Sequence, residues 1–213
     1  MNISVITDTS NSWFIPFAHS LVKALAPLGQ ATFFSDTQQL TGGDIAFFLS
    51  CERIVPAATL ALHCNNIVVH ASALPQGRGW SPLTWQVLEG KNTIPLTLFE
   101  ASAQVDTGDI YLLEQLELCG NELLPEMRQR MGETIVAMCL TFAHNYPAIL
   151  AQARPQTGEA SSYPRRRPQD SQLNPEQSIA AQFNLLRVVD NNKYPAFFDW
   201  RGRRYVVKIE AMS

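Results

Sequence analysis

Short apolar runs alternate with stretches of helical period along this 213-residue chain. Residues 3–6 (Ile-Ser-Val-Ile) read as a first strand. Phe14, Phe17, Leu21, Leu25 and Leu28 then recur on one side of a predicted helix over 13–28, which Gly29 stops. Strands are predicted at 31–34 and 44–49, and a short helix opening on Pro56 at 56–63. A fourth strand at 66–69 ends on His70. A helix over 82–89 follows Ser81, and strands follow at 94–99 and 110–118. The longest helical pattern, 121–146, carries Leu124, Met127, Met131, Ile135, Met138 and Phe142 on one stripe, which reads as core. This alternation predicts an α/β fold, a Rossmann-like, mostly parallel sheet with helices on both faces.

The texture changes after Ala151. Residues 152–172 are polar, contain Pro155, Pro164 and Pro168, and include Arg165-Arg166-Arg167. A helix is predicted over 175–189, with Ile179, Phe183 and Leu186 on one face, and a hairpin from 196–200 and 204–209 across Arg201-Gly202-Arg203. The expected organisation is a main domain, 1–151, with a connector, helix and hairpin, 152–213, packed on it. The apolar hairpin offers a surface to a second copy of the chain.

Composition narrows the functional classes. Apolar residues are 46%, charged residues 16% and the net charge is −3, so a broad nucleic-acid surface is not expected. Cys51, Cys64, Cys119 and Cys139 show no CxxC spacing and read as buried, reduced thiols of a cytoplasmic protein. No signal peptide or membrane span is expected, and no His/Cys/carboxylate cluster has metal-ligand spacing. There is no GxGxxG after the first strand. His19, His63 and His144 are assigned to helices as surface or satisfied histidines.

His70 stands out because a buried strand delivers it to its carboxyl end, where ligands sit in open α/β sheets. A Pro- and Gly-rich turn follows it. The loop Val105-Asp106-Thr107-Gly108-Asp109 supplies a carboxylate among small residues that permit close approach of a ligand. An imidazole beside a carboxylate can stabilise an oxyanion and move a proton out of an attacking amine. A core histidine bonded to a backbone carbonyl is the plainer reading.

His70-Ala71-Ser72-Ala73-Leu74-Pro75 with Arg78-Gly79, Pro82, Thr97 and Val105 to Ile110 resembles the folate-dependent formyltransferase family. That family includes the glycinamide ribonucleotide, methionyl-tRNA and sugar N-formyltransferases. Arg-Pro-x-Asp-Ser-x-Leu, then Leu186-Arg187 and Tyr194 to Phe198, resembles the tail of the sugar enzymes, and the full His70 phrase those of pseudaminic-acid-type surface sugars. The resemblance implies transfer of a formyl group from N10-formyltetrahydrofolate to the amine of a nucleotide-activated amino deoxysugar, in surface polysaccharide biosynthesis. The donor would lie along the sheet's carboxyl edge, near residues 100–109. His70 would hold the oxyanion of the tetrahedral intermediate, and Asp106 would orient it and help relay the amine's proton. Ser72, Leu74, Arg78, Gly79, Thr107 and Gly108 would contact the folate; Trp80, Asn66, Tyr194 and Phe198 would contact the sugar nucleotide. Neither metal, nucleic acid nor membrane is implied.

One position departs from the family. An Asn is usual two residues before the His, and here it is Val68. Asn66 faces the same way as His70 but lies about 13 Å back at roughly 3.3 Å per residue. Arg78 has a second reading as a pin for its own turn, Trp85 as packing and Arg165-Arg166-Arg167 as a solvated run or a diphosphate contact. The rivals are methionyl-tRNA formylation, which expects a basic C-terminal domain, hydrolysis of the folate donor, and a non-catalytic folate- or sugar-nucleotide-binding module.

Overall fold

The structure is a computed structural model describing residues 1–212. In chain order its elements are β1 (Asn2–Ile6), α1 (Ile15–Leu25), β2 (Gln30–Phe34), β3 (Gly43–Phe48), α2 (Ala57–Leu60), β4 (His63–His70), β5 (Arg78–Gly79) and α3 (Pro82–Leu88). They continue with β6 (Thr93–Glu100), β7 (Ile110–Glu117), α4 (Leu124–His144), β8 (Ser162–Tyr163), α5 (Phe183–Arg187), β9 (Ala196–Trp200) and β10 (Arg203–Val207).

A six-stranded sheet runs in the order β2-β1-β3-β4-β6-β7. Strands β1 to β4 are parallel, and β6 is antiparallel to both β4 and β7. Alternation within each strand divides the core. Ile3, Val5, Ile45, Phe47 and Ile67 face α1 and α4 in the larger cluster. Ile6, Ala46 and Phe48 point to the other face, where Leu40, Val55, Leu60 and Val68 cover them. Helices α1 and α4 cross closely at Gly132, where an added Cβ would lie 2.6 Å from the Phe17 ring.

Two predicted elements differ. His63 is the first residue of β4 and not a helical residue. The ladder with β3 begins at Gly43 opposite His63, and the His63 ring is buried with Nε2 bonded to Ser4 Oγ at 2.9 Å. The helix expected over 175–189 is reduced to one 3-10 turn and the five residues of α5. There the Gln182 side chain accepts from Asn174 N–H and donates to its carbonyl, a local closure that competes with helical pairing. Ile179, expected on one helical face with Phe183 and Leu186, is exposed. The cysteines also depart from a uniformly buried set: Cys139 is buried and Cys51 partly so, whereas Cys64 and Cys119 are exposed. All four thiols are free.

Residues 152–171 lie across the body. Arg154 and Ile110 exchange backbone hydrogen bonds, β8 pairs with β5, and the Trp85 indole N–H donates to Pro164 carbonyl. Further on, the buried Arg187 donates to Asn92 at 2.7 Å and Asn184 at 2.9 Å, 3.7 Å from Glu122. The β9–β10 turn has left-handed φ at Arg201 and Gly202, as a two-residue hairpin requires. No helix among the described residues is long and apolar enough to cross a membrane.

Candidate active site

Strand β4 carries Asn66, Val68 and His70 toward the face shared with Phe48, and runs two residues past the end of β3, whose Phe48 pairs with Val68. The backbone then turns through 71–77 and returns as β5. His70 Nε2 lies 2.8 Å from Gly77 carbonyl oxygen. A carbonyl only accepts, so Nε2 is the protonated nitrogen and Nδ1 is the basic one. Asp106 enters from the β6–β7 loop with φ +55. Its Oδ2 accepts Gly79 N–H at 2.9 Å and sits 3.9 Å from His70 Nε2. The two side chains are 10% and 11% exposed. At 3.9 Å the pair is beyond hydrogen-bond range, so Gly77 sets the ring's orientation and Asp106 supplies a field. The interaction with an imidazolium at that distance is about 4 kcal/mol for an effective dielectric near 20.

Both groups open onto a cavity of about 650 Å³. One end is apolar, walled by Phe48, Val55, Leu60, Val68 and Phe99. The other lies between α1, α4 and the C-terminal segment, with Trp13, Met131, Val188 and Tyr194. Its charged lining is mostly basic: Arg53, Arg128, Arg165, Arg166 and Lys193, against Glu52, Asp106 and Asp190. Arg128 donates to Asp190 at 3.0 Å. Arg165 stacks on Trp80 at 4.5 Å and stands 3.8 Å from Glu52 across the opening. Arg53, Arg166 and Lys193 have no carboxylate within ion-pair range among the described residues. Burial pulls the Arg166 guanidinium below its ordinary value, with Asp170 opposing, and its Nη1 is buried without a partner. Such a surface favours an anionic ligand.

The predicted contacts divide between lining and scaffold. Gly79, Trp80 and Tyr194 line the cavity with His70 and Asp106. Ser72, Leu74, Arg78, Thr107 and Gly108 stand outside the lining. Ser72 carbonyl accepts the Thr97 hydroxyl, Leu74 packs with Phe99 and Ile110, and Thr107 bonds Ser102 and Gln104. A side chain at Gly108 would collide with Glu100 carbonyl, so that glycine is required sterically. Arg78 donates to Gln156 at 2.6 Å and pins the turn. Asn66 is buried with its amide on Leu60 carbonyl, and Phe198 stacks on Tyr205 within the hairpin. Trp85 stacks on Tyr163, in a packing role.

Sequence reasoning did not find the groups that assemble the site. Asp8 accepts the backbone N–H groups of Glu52 and Arg53 and fixes the 50–55 lip. Ser161 Oγ accepts Gly77 N–H at 3.0 Å, and Gln156 reaches the Asp106 loop. Their only local signal was polarity. Glu100, at the end of β6, accepts from Asn66 N–H, Asn65 and Tyr111. Burial nevertheless pushes its carboxyl above the usual range. Burial also pushes the Cys51 thiol up to about 12, so it is a neutral group of the cavity wall. No cluster of three or more His, Cys, Asp or Glu side chains placed to hold a metal ion occurs among the described residues.

A family model described as formyl transferase matches residues 30–140. A methionyl-tRNA formyltransferase of Koribacter versatilis is 27% identical over 158 residues, 73% of this chain and 50% of that protein. The chain spans about half the length of the methionyl-tRNA formyltransferases it first matches. Among solved structures, a methionyl-tRNA formyltransferase from Clostridium thermocellum superposes with TM-score 0.81 at 24% identity, covering 100% of this chain and 94% of that one. A 4-N formyltransferase from Francisella tularensis gives TM-score 0.73 at 17% identity, covering 100% and 98%. At these identities the structures establish a shared fold.

Proposed function

Since this chain belongs to the formyl transferase family, we propose that it moves a formyl group from N10-formyltetrahydrofolate to the amine of a nucleotide-activated amino deoxysugar. The observation that carries the reading is the His70–Asp106 pair on the wall of a cavity that combines an apolar end with a mostly basic charged lining. The apolar end, between Phe48, Val68 and Phe99, suits a flat ring system such as the folate pterin. The basic lining suits a phosphorylated acceptor, with Arg53, Arg166 and Lys193 free of carboxylate partners among the described residues.

Folate would supply the formyl carbon; the protein supplies alignment and charge. As the acceptor's nitrogen bonds to that carbon, its carbonyl oxygen becomes negative and the nitrogen must lose a proton. His70, held through Nε2 by Gly77, has Nδ1 free to take that proton. The imidazolium that results is stabilised by Asp106 at 3.9 Å and in turn attracts the developing oxyanion; as the carbonyl re-forms the bond from carbon to folate N10 would break, and the imidazolium would return the proton to that nitrogen. Val68 presents methyl groups where an amide would stand in the family, so in this reading His70 carries the oxyanion without it.

The methionyl-tRNA relatives favour a second acceptor, and the same assay decides. Protein, N10-formyltetrahydrofolate and either a panel of nucleotide amino sugars or charged initiator tRNA are incubated and the products weighed. A sugar nucleotide heavier by one formyl group supports the proposal. Formyl-methionyl-tRNA alone assigns the other acceptor, loss of formyl from folate without an acceptor assigns a hydrolase, and binding without turnover assigns a binding module.

A further inference from the structure

Asp106 does not hold its own position. Its backbone is left-handed, its carboxylate accepts one backbone N–H, and the 101–109 loop around it is largely exposed. The loop is anchored from a segment fifty residues later. Gln156 Nε2 donates to the carbonyl oxygens of Asp106 at 2.9 Å and Gly108 at 3.0 Å. Gln156 Oε1 accepts from Arg78 Nη2 at 2.6 Å. Arg78 is the residue between Gly77, whose carbonyl holds His70, and Gly79, whose N–H holds Asp106. One primary amide thus uses both donors on one loop of the site and its acceptor on the other. Within 151–160, all other residues are exposed, while Gln156 is partly buried.

We propose that Gln156 is a positioning residue that sets the distance between His70 and Asp106. The inference rests on the reading of those two residues as the working pair. The chemistry requires an amide here. Glutamate has the same length and bonds Arg78 at least as well, but it turns an oxygen toward two carbonyl oxygens, which repel it. Glutamate therefore separates the two roles: the bond to Arg78 survives and the bonds to Asp106 and Gly108 are lost.

The test compares wild-type protein with Gln156→Glu. Turnover is followed with N10-formyltetrahydrofolate and whichever acceptor the product assay identifies, and exchange of the Gly79 amide proton is followed by NMR. Gln156→Glu is expected to lower kcat by about 10- to 100-fold, as a displacement near 1 Å at a reacting centre does, while KM for donor and acceptor changes by less than about threefold. The Gly79 amide, whose acceptor is Asp106, is expected to exchange faster with an unchanged melting temperature. Near-normal kcat, a rise in KM alone, or unaltered Gly79 exchange overturns the proposal. If Gln156→Glu does not fold, Gln156→Met, of equal length and uncharged, is read by the same criteria. The exchange measurement needs no turnover, so an absence of formyl transfer would sink the functional reading and leave this inference to the Gly79 amide.

Discussion

At Asp106 the charge and the geometry can be separated. Asparagine tolerates the same left-handed backbone and its amide oxygen can still accept Gly79 N–H, so Asp106→Asn removes the charge and keeps the loop. Asp106→Asn is expected to lower kcat by about 10²-fold or more, and His70→Asn by about 10²–10⁴-fold, with folate affinity within a few-fold of wild type by titration. Val68 invites the opposite experiment, restoring the family's amide. It packs with Leu74, Phe99 and Ile110 and with the Phe48 cluster. Val68→Asn is expected to destabilise the fold by about 1–3 kcal/mol in chemical denaturation, the cost of an amide set among apolar groups.

Among the elements, α5 combines the packing of Leu185 and Leu186 with the polar contacts of one buried side chain, Arg187. It has five residues, too few to be stable alone, yet it helps bring Val188, Val189 and Tyr194 to the cavity. Arg187 fastens it to Asn92 and faces Glu122 from inside the protein. Arg187→Met leaves Asn92 without that donor, while Glu122 keeps Arg130 and the N–H groups of Cys119 and Gly120. The expected loss is about 3 kcal/mol, at the lower end for breaking a buried pair, read as a lower denaturant midpoint. The apolar stripe at 175–189 was legible in the sequence. The side-chain closure of Gln182 on Asn174, which shortens the helix, was not.

For the whole molecule, titration of buried groups ties stability to pH. Burial holds the His63 imidazole below 6.5, against an opposing pull from Asp44. The unfolded chain therefore takes up this proton first, and stability is full above pH 6.5 and falls as the pH drops below it. For Glu122, burial acts upward but is outweighed by the N–H groups of Cys119 and Gly120 and by Arg130, so its carboxyl lies below 4.5. Asp190 behaves alike, with Lys193 and Asn192 N–H and Arg128 overcoming burial. Both contribute stability that is lost in acid as the pH falls through their lowered values. Glu100, raised by burial, has the opposite sign: its cost appears above pH 4.5 and is relieved toward acid. The melting temperature is expected to fall in a shallow step below pH 6.5 and steeply below about pH 4. His63→Gln, which does not titrate there, should flatten the first step; an unchanged step would remove His63 as its source.

Hydrophobic period, with Gly, Pro and Ser boundary signals, determined the order of the main strands and helices through α4 apart from the two-residue β5, because buried faces repeat at two or 3.6 residues. The motif residues placed His70 at a strand end and Asp106 in a small-residue loop, and the family followed from them. Tertiary structure decided the rest. That β6 runs antiparallel, that His63 opens a strand, that Arg78 bonds Gln156 and that Gly108 lies against Glu100 carbonyl depends on partners elsewhere along the chain. So does the geometry of the His70–Asp106 pair. Gly77 holds the histidine and Gln156 holds the aspartate's loop. A hydrogen bond spanning fifty residues leaves no period and no spacing for a sequence to display.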